Sequence, residues 1–229
     1  MPITYNSVKP WGRLFSEYVH MFALTESDLR GRILGCGDGP ASFNAEATAQ
    51  GYRVVSVDPI YALTAAQVEQ RVNETWREIL EQTRSNMDLF VWTHFQTVEA
   101  LGESRLSAMR RFVADLEQGK REGRYIDASL PSLPFEDDQF DLALCSHFLF
   151  LYSDHFTADF HVAAIAEICR VAREVRVFPL ADLTSAESAH VNPVIDALTA
   201  HGFVAERVPV HYEFQRGANR MLRVRRTAG

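Results

Sequence analysis

Cysteine is scarce in this chain and poorly spaced for chemistry. Cys36, Cys145 and Cys169 form no CxxC pair and no metal-ligand spacing, so zinc-ribbon and thioredoxin-type sites are excluded and no metal is expected. Each lies in an apolar run, the setting of a buried free thiol, and this usage fits a reducing, cytoplasmic compartment. No apolar stretch approaches the ~18 residues that a membrane-spanning helix needs; the strongest, 142–152, is interrupted by Ser146 and His147. No basic start followed by an apolar run opens the chain, so no signal peptide is expected. Positive charge is also in deficit: 23 basic against 30 acidic side chains give a net charge of −7. That argues against a general binder of nucleic acid or of membrane surfaces. One basic concentration remains, Arg105, Arg110, Arg111, Lys120, Arg121 and Arg124, readable as a solvated helix face or as a local binding patch.

What is present is ordinary globular material. With 229 residues, 47% hydrophobic and 23% charged, the chain fits one large α/β domain, or a core domain carrying a substantial insertion. Apolar residues at helical spacing predict a helix over 14–24, and Thr25-Glu26-Ser27-Asp28 reads as a turn or a cap. A strand over 32–36, a glycine-rich turn, a helix over 41–50 stopped by Gly51, and a strand over 53–57 stopped by Asp58-Pro59 follow. From 64 to 123 the pattern is amphipathic and helical, with Val68, Val72, Trp76, Ile79 and Leu80 on one face and a second run over 105–118. The aromatic-rich stretch 86–97 between them is ambiguous. Strands are predicted at 124–126, 140–145 and 174–178, with helices over 157–171 and 192–201. Strand-like runs at 205–214 and 221–225, joined by Gln215-Arg216-Gly217-Ala218-Asn219, read as a terminal hairpin. Alternating strands and helices of this kind make a doubly wound, mostly parallel sheet.

The strand–turn–helix–strand at 31–58 carries the functional signal. A glycine turn lets backbone approach a ligand, and an acid at the end of the second strand accepts hydrogen bonds from ribose hydroxyls. Asp58 is placed for that role; the alternative is an Asp-Pro loop residue that caps nearby backbone. Pro59 and Ile60 would line an adenine pocket.

With Leu133-Pro134-Phe135-Glu136-Asp137-Asp138-Gln139-Phe140-Asp141 leading into the strand at 140–145, the chain resembles the class I S-adenosylmethionine-dependent methyltransferases. The resemblance covers 14–60 and 124–226. It implies a Rossmann-like seven-stranded sheet with a C-terminal antiparallel hairpin, one domain over 1–229, and a helical insertion over 62–122 serving as an acceptor-binding lid or a dimer contact. It implies S-adenosyl-L-methionine as cofactor, S-adenosyl-L-homocysteine as product, and a small-molecule acceptor. The glycine motif aligns in two registers. One takes Gly35 and Gly37 as the family's first two glycines. The other, preferred because it keeps the spacing to Gly51 and Asp58, takes Gly37 and Gly39, and puts Gly35 where the family has a carboxylate and Ala41 where it has a third glycine. Asp38, inside the turn, either meets the cofactor's ammonium or stabilises the turn as an Asx motif.

Ser129, followed by Leu130, stands where relatives place an acid near the adenine amino group, with Asp127 two residues earlier. Ser146, His147 and Phe148 emerge at the carboxyl edge of the sheet, where open α/β folds bind ligands. His147 is the candidate for acceptor contact as a general base; its alternative is a histidine bonding backbone at a strand end. Phe148, Phe150 and Tyr152 read as packing or as an acceptor box. Tyr18 and Met21 either close over the cofactor or belong to the core. Trp76, Phe90, Trp92, His94 and Phe95 line an acceptor cavity or make a self-contained core. No Asn/Asp-Pro-Pro-Tyr motif or Pro-Cys follows the 140–145 strand, which disfavours methylation of DNA bases. A nicotinamide oxidoreductase would need a third glycine where Pro40 or Ser42 stands. A non-catalytic protein that keeps the fold as an interaction module is the remaining alternative.

Overall fold

The computed structural model describes residues 11–227. Seven strands form one sheet: β1 (Arg32–Cys36), β2 (Arg53–Val57), β3 (Tyr125–Ile126), β4 (Phe140–Ser146), β5 (Ala172–Phe178), β6 (Phe203–Pro209) and β7 (Arg220–Arg226). Their spatial order is β3-β2-β1-β4-β5-β7-β6, with only β7 antiparallel to its neighbours. Seven α-helices surround it: α1 (Phe15–Met21), α2 (Glu26–Arg30), α3 (Phe43–Ala49), α4 (Ala65–Ser85), α5 (Val98–Arg121), α6 (Ala158–Val171) and α7 (Val191–Ala200). This is a class I methyltransferase-type Rossmann-like architecture with a helical insertion.

Alternation along the strands divides the core. Leu34, Ala143, Cys145 and Val175 face α6 and α7, meeting Ile165, Ile168, Val194 and Leu198. Ile33, Val54, Leu142 and Leu144 face the opposite way, onto Tyr18 and Phe22 at the α1 end and Phe43 of α3. The insertion brings its own core of Val68, Val72, Leu106, Met109, Phe112 and Leu116 around Tyr61 and Tyr125. Thr64, Thr97 and Thr157 cap α4, α5 and α6 through their hydroxyls, supplying acceptors for otherwise orphaned N–H groups.

All three cysteines are free and buried; burial pushes the Cys145 and Cys169 thiols up to about 12, so they stay protonated and inert. No helix among the described residues is long and apolar enough to cross a membrane, and no cluster of His, Cys, Asp and Glu there could hold a metal ion.

The cap expected at 25–28 is present, with Thr25 heading a separate five-residue helix, α2. Other expectations change. Helix α5 starts at Val98, seven residues before the predicted run. The strand predicted over 205–214 ends at Pro209, because residues beyond it leave the sheet to meet the insertion: the N–H of Val91 donates to the Phe214 carbonyl at 2.7 Å and Phe90 stacks on Phe214 at 4.8 Å. The connection to β7 is therefore a long loop over 210–219 and not a tight turn. The basic concentration is no continuous solvated face either. Arg105 points inward and pairs with Glu17, Arg124 forks onto Asp115, and Arg111 reaches Glu46.

Candidate functional site

Strands β1 and β4 are neighbours whose carboxyl ends lie side by side, Cys36 opposite Cys145. The connections from these strands run to opposite faces, which opens a crevice at this point. A cavity of about 610 Å³ occupies it. Eleven predicted residues line it: Tyr18, Gly37, Asp38, Gly39, Asp58, Pro59, Ile60, Ser129, Leu130, Ser146 and His147. Gly35 does not, and Asp127 lies exposed outside it.

Gly35 has a different task. A Cβ on it would sit 1.8 Å from Oδ2 of Asp38. The Asp38 carboxylate thus fills the space that a side chain at 35 would claim. The carboxylate of Asp38, three residues along the chain, folds back over the strand at this point. It is not an Asx turn. Asp38 accepts from the Tyr18 hydroxyl at 2.9 Å and the Ser56 hydroxyl at 2.7 Å. Burial pushes its carboxyl up to about 6, against those two hydrogen bonds and with the help of nearby Asp58. Gly37, at φ +67°, takes the left-handed conformation, and a Cβ there would meet the Phe148 ring at 3.0 Å; both facts favour glycine.

Asp58 caps backbone, as its second reading expects, and it also lines the cavity. Oδ2 accepts from the Gly39 N–H at 2.9 Å and Oδ1 from the Ile60 N–H at 2.8 Å, so the carboxylate caps backbone while it lines the cavity. Each oxygen retains a lone pair for a further donor. Burial raises its carboxyl above the ordinary range, opposed by the two N–H bonds.

His147 follows β4 with φ +52°, a conformation that costs a non-glycine residue and gathers at functional sites. Its N–H donates to the Phe178 carbonyl at 2.6 Å, and its Nδ1 shares a hydrogen bond with the Ser146 hydroxyl at 2.9 Å. Burial, then Arg13 and Arg105, holds the imidazole well below its ordinary value. It is therefore neutral at pH 7, and the same causes make it a weaker base than an ordinary imidazole.

Beyond His147 lies a smaller chamber of about 90 Å³, reached from Phe90, Arg105, Leu151, Tyr152, Leu183, Phe214 and Gln215. Trp11, Arg13 and His147 line both spaces. Of the aromatic candidates, Phe148 lines the large cavity, and Phe90 and Tyr152 the small one. Phe150 stacks on His161, Met21 is core, and Trp76 packs on the insertion. Trp92, His94 and Phe95 join an aromatic cluster around Tyr212 and Phe214 outside both spaces.

Trp11 and Arg13 line both spaces and are absent from the residues that the sequence singles out. They lie on a strap ahead of α1, which is held across the glycine loop by the Ser42 N–H donating to the Arg13 carbonyl at 3.0 Å. Arg71, Glu74 and Thr75 of α4, also missed, cover the large cavity from the insertion side.

The fold is that of the class I methyltransferase type. Residues 104–175 match the family model described as a methyltransferase domain. Over 217 residues the chain is 32% identical to the uncharacterized protein MJ0045 of Methanocaldococcus jannaschii, covering 94% of this chain and 95% of that one, and it belongs to the same family. Two solved structures are similar in chain path alone. The PH0226 protein of Pyrococcus horikoshii OT3 is 14% identical with a TM-score of 0.48, over 92% of this chain and 89% of that one. The magnesium protoporphyrin IX methyltransferase ChlM of Synechocystis PCC 6803, solved with bound SAM, is 14% identical with a TM-score of 0.46, over 93% and 77%.

Proposed function

We propose that this chain binds S-adenosylmethionine in the larger cavity and methylates a small-molecule acceptor held beside His147. One observation carries the reading: a nucleoside-sized cavity, bounded by Asp58 and the glycine loop, meets a second chamber at a neutral histidine. The cavity suits the cofactor. Asp58 offers free lone pairs to ribose hydroxyls, Ile60 and Leu130 offer apolar faces to a base, and the Asp38 carboxylate stands where a cationic amino group can be received.

When bound, the cofactor supplies a methyl group on a sulfonium, whose sulfur leaves as a neutral thioether. The chain's own residues have little further chemistry to do. They align the acceptor, and the strap and α4 exclude water. His147, neutral and held by Ser146, accepts the proton that a hydroxyl or amine acceptor must lose.

Calorimetry of the purified protein with S-adenosylhomocysteine tests the cofactor. Binding in the micromolar range is expected, with Asp58→Ala raising Kd about a hundredfold through loss of charge-assisted hydrogen bonds worth ~3 kcal/mol. Tight binding of NAD with none of S-adenosylhomocysteine would overturn the reading.

Asp38 adds a pH dependence. Only its ionised form attracts a cation, so affinity is full above about pH 6 and declines below it. Between pH 8 and pH 5 the Kd for S-adenosylhomocysteine is expected to rise about tenfold. Asp38→Asn should flatten that profile, and a flat wild-type profile would remove Asp38 from the role.

A further inference from the structure

The small chamber has a chemical character of its own. Arg13 and Arg105 are the charged residues lining it, with no carboxylate among the lining side chains. Arg105 is 1% exposed. Among the described residues, the acid that answers this pair is Glu17, itself fully buried and outside the chamber wall. Glu17 is already occupied: it accepts from Arg105, from the Tyr212 hydroxyl at 2.8 Å and from the Leu14 N–H at 3.1 Å. Two guanidiniums thus share one carboxylate.

The imbalance shows in the hydrogen bonds. The Nε–H groups of Arg13 and Arg105 are both buried without an acceptor, although buried guanidinium donors are ordinarily satisfied. The nearest bond that Arg13 makes is to a neutral carbonyl, that of Trp11 at 3.1 Å. Burial, and then repulsion from Arg105, lowers the Arg13 guanidinium to about 10. The remaining walls combine apolar and aromatic side chains, among them Trp11, Phe90, Leu151 and Phe214, with the neutral polar groups of Thr83 and Gln215.

We propose that this chamber receives the carboxylate of an anionic, flat or aromatic methyl acceptor, with Arg13 and Arg105 as its partners. The proposal rests on the methyltransferase reading of the larger cavity. A carboxylate accepts from guanidinium donors in a planar geometry and matches two of them better than a neutral group does. It restores the missing negative charge, and it anchors one end of the acceptor while the rest extends past His147 toward the cofactor cavity. Arg13 borders both spaces, whereas Arg105 lines the small chamber alone; an anion on the cofactor reaches only the first of them.

The probes are benzoate and 4-hydroxybenzoate, each compared with its neutral amide, by calorimetry on the protein saturated with S-adenosylhomocysteine. At least one acid is expected to bind ten times or more tightly than its amide, and Arg13→Gln to reduce that preference below threefold. Acids that bind no more than tenfold better than their amides would overturn the proposal. So would Arg13→Gln weakening S-adenosylhomocysteine while the acid preference stays intact, since that assigns Arg13 to the cofactor. The wild-type comparison needs no variant to fold. If S-adenosylhomocysteine fails to bind, the methyltransferase reading falls, and the same acid–amide comparison on the free protein still decides whether the chamber selects anions.

Discussion

Replacing Gly35 with alanine is expected to lower the melting temperature by about 5–10 °C, the equivalent of ~2–3 kcal/mol in a chain of this size. The new methyl carbon would stand 1.8 Å from Asp38 Oδ2 and 2.5 Å from Cγ. Gly35 pairs within the sheet on both sides, with Ser56 and with Leu144, so the strand cannot retreat. The carboxylate must leave instead, and with it goes the acceptor of the Tyr18 and Ser56 hydroxyls, so that both buried O–H donors lose their partner and Ser56 keeps only the bond that it accepts from Asn44 at 3.1 Å. Affinity for S-adenosylhomocysteine should fall with stability. Removing the carboxylate relieves the clash, so Gly35→Ala combined with Asp38→Ala is expected to cost ~1–2 kcal/mol less than the sum of the single changes. Thermal melts of the three variants measure this; an unchanged melting temperature for Gly35→Ala would show that the Asp38 carboxylate lies elsewhere.

Glu17→Gln is expected to have the largest effect on stability, about 3–5 kcal/mol, because it leaves buried cations without their counter-charge. The isosteric amide also reverses a hydrogen bond. Glu17 only accepts, from Arg105, Tyr212 and Leu14, whereas one end of glutamine would present N–H groups to donors. Replacing Glu17 and Arg105 together with apolar residues of similar volume should cost less than Glu17→Gln alone, since no unpaired charge then remains. Urea unfolding at pH 7 reads both changes. A loss below ~1 kcal/mol for Glu17→Gln would mean that the pair is hydrated.

The same two residues mark where sequence reading succeeds and where it stops. Strands β1 and β2 are legible to the residue, because Val54, Val55 and Val57 are β-branched and the run is ended by Asp58-Pro59, and Arg32–Cys36 is ended by Gly37. The glycine-loop side of the larger cavity is legible for a related reason: Gly37, Asp38, Gly39 and Asp58 fall within one strand–turn–helix–strand, so spacing alone brings them together. The exchange between Gly35 and Asp38 is not legible, since whether a loop carboxylate folds back over a strand depends on Tyr18 and Ser56 being there to hold it. The small chamber is less so. It joins Arg13, Arg105, His147 and Phe214, side chains with no common period that are brought together only by the completed fold. Arg105 illustrates the difficulty: in the sequence it belongs to a run of arginines on an amphipathic helix, and burial alone separates it from them. The first half of the loop over 210–219, residues 210–214, reads as strand because Val208, Val210 and Tyr212 have strand chemistry, while the contact with Phe90 that draws the chain away lies more than a hundred residues earlier.

Trp11, Arg13 and His147 form a partition shared by two compartments. An occupant that shifts any of these side chains alters the walls of both rooms at once. Whatever factor an occupant on one side contributes to affinity on the other must be returned in full, because binding free energies around a closed cycle sum to zero. The partition therefore makes affinity a joint property of the two occupants, and a dissociation constant measured with one compartment empty describes half of a coupled pair.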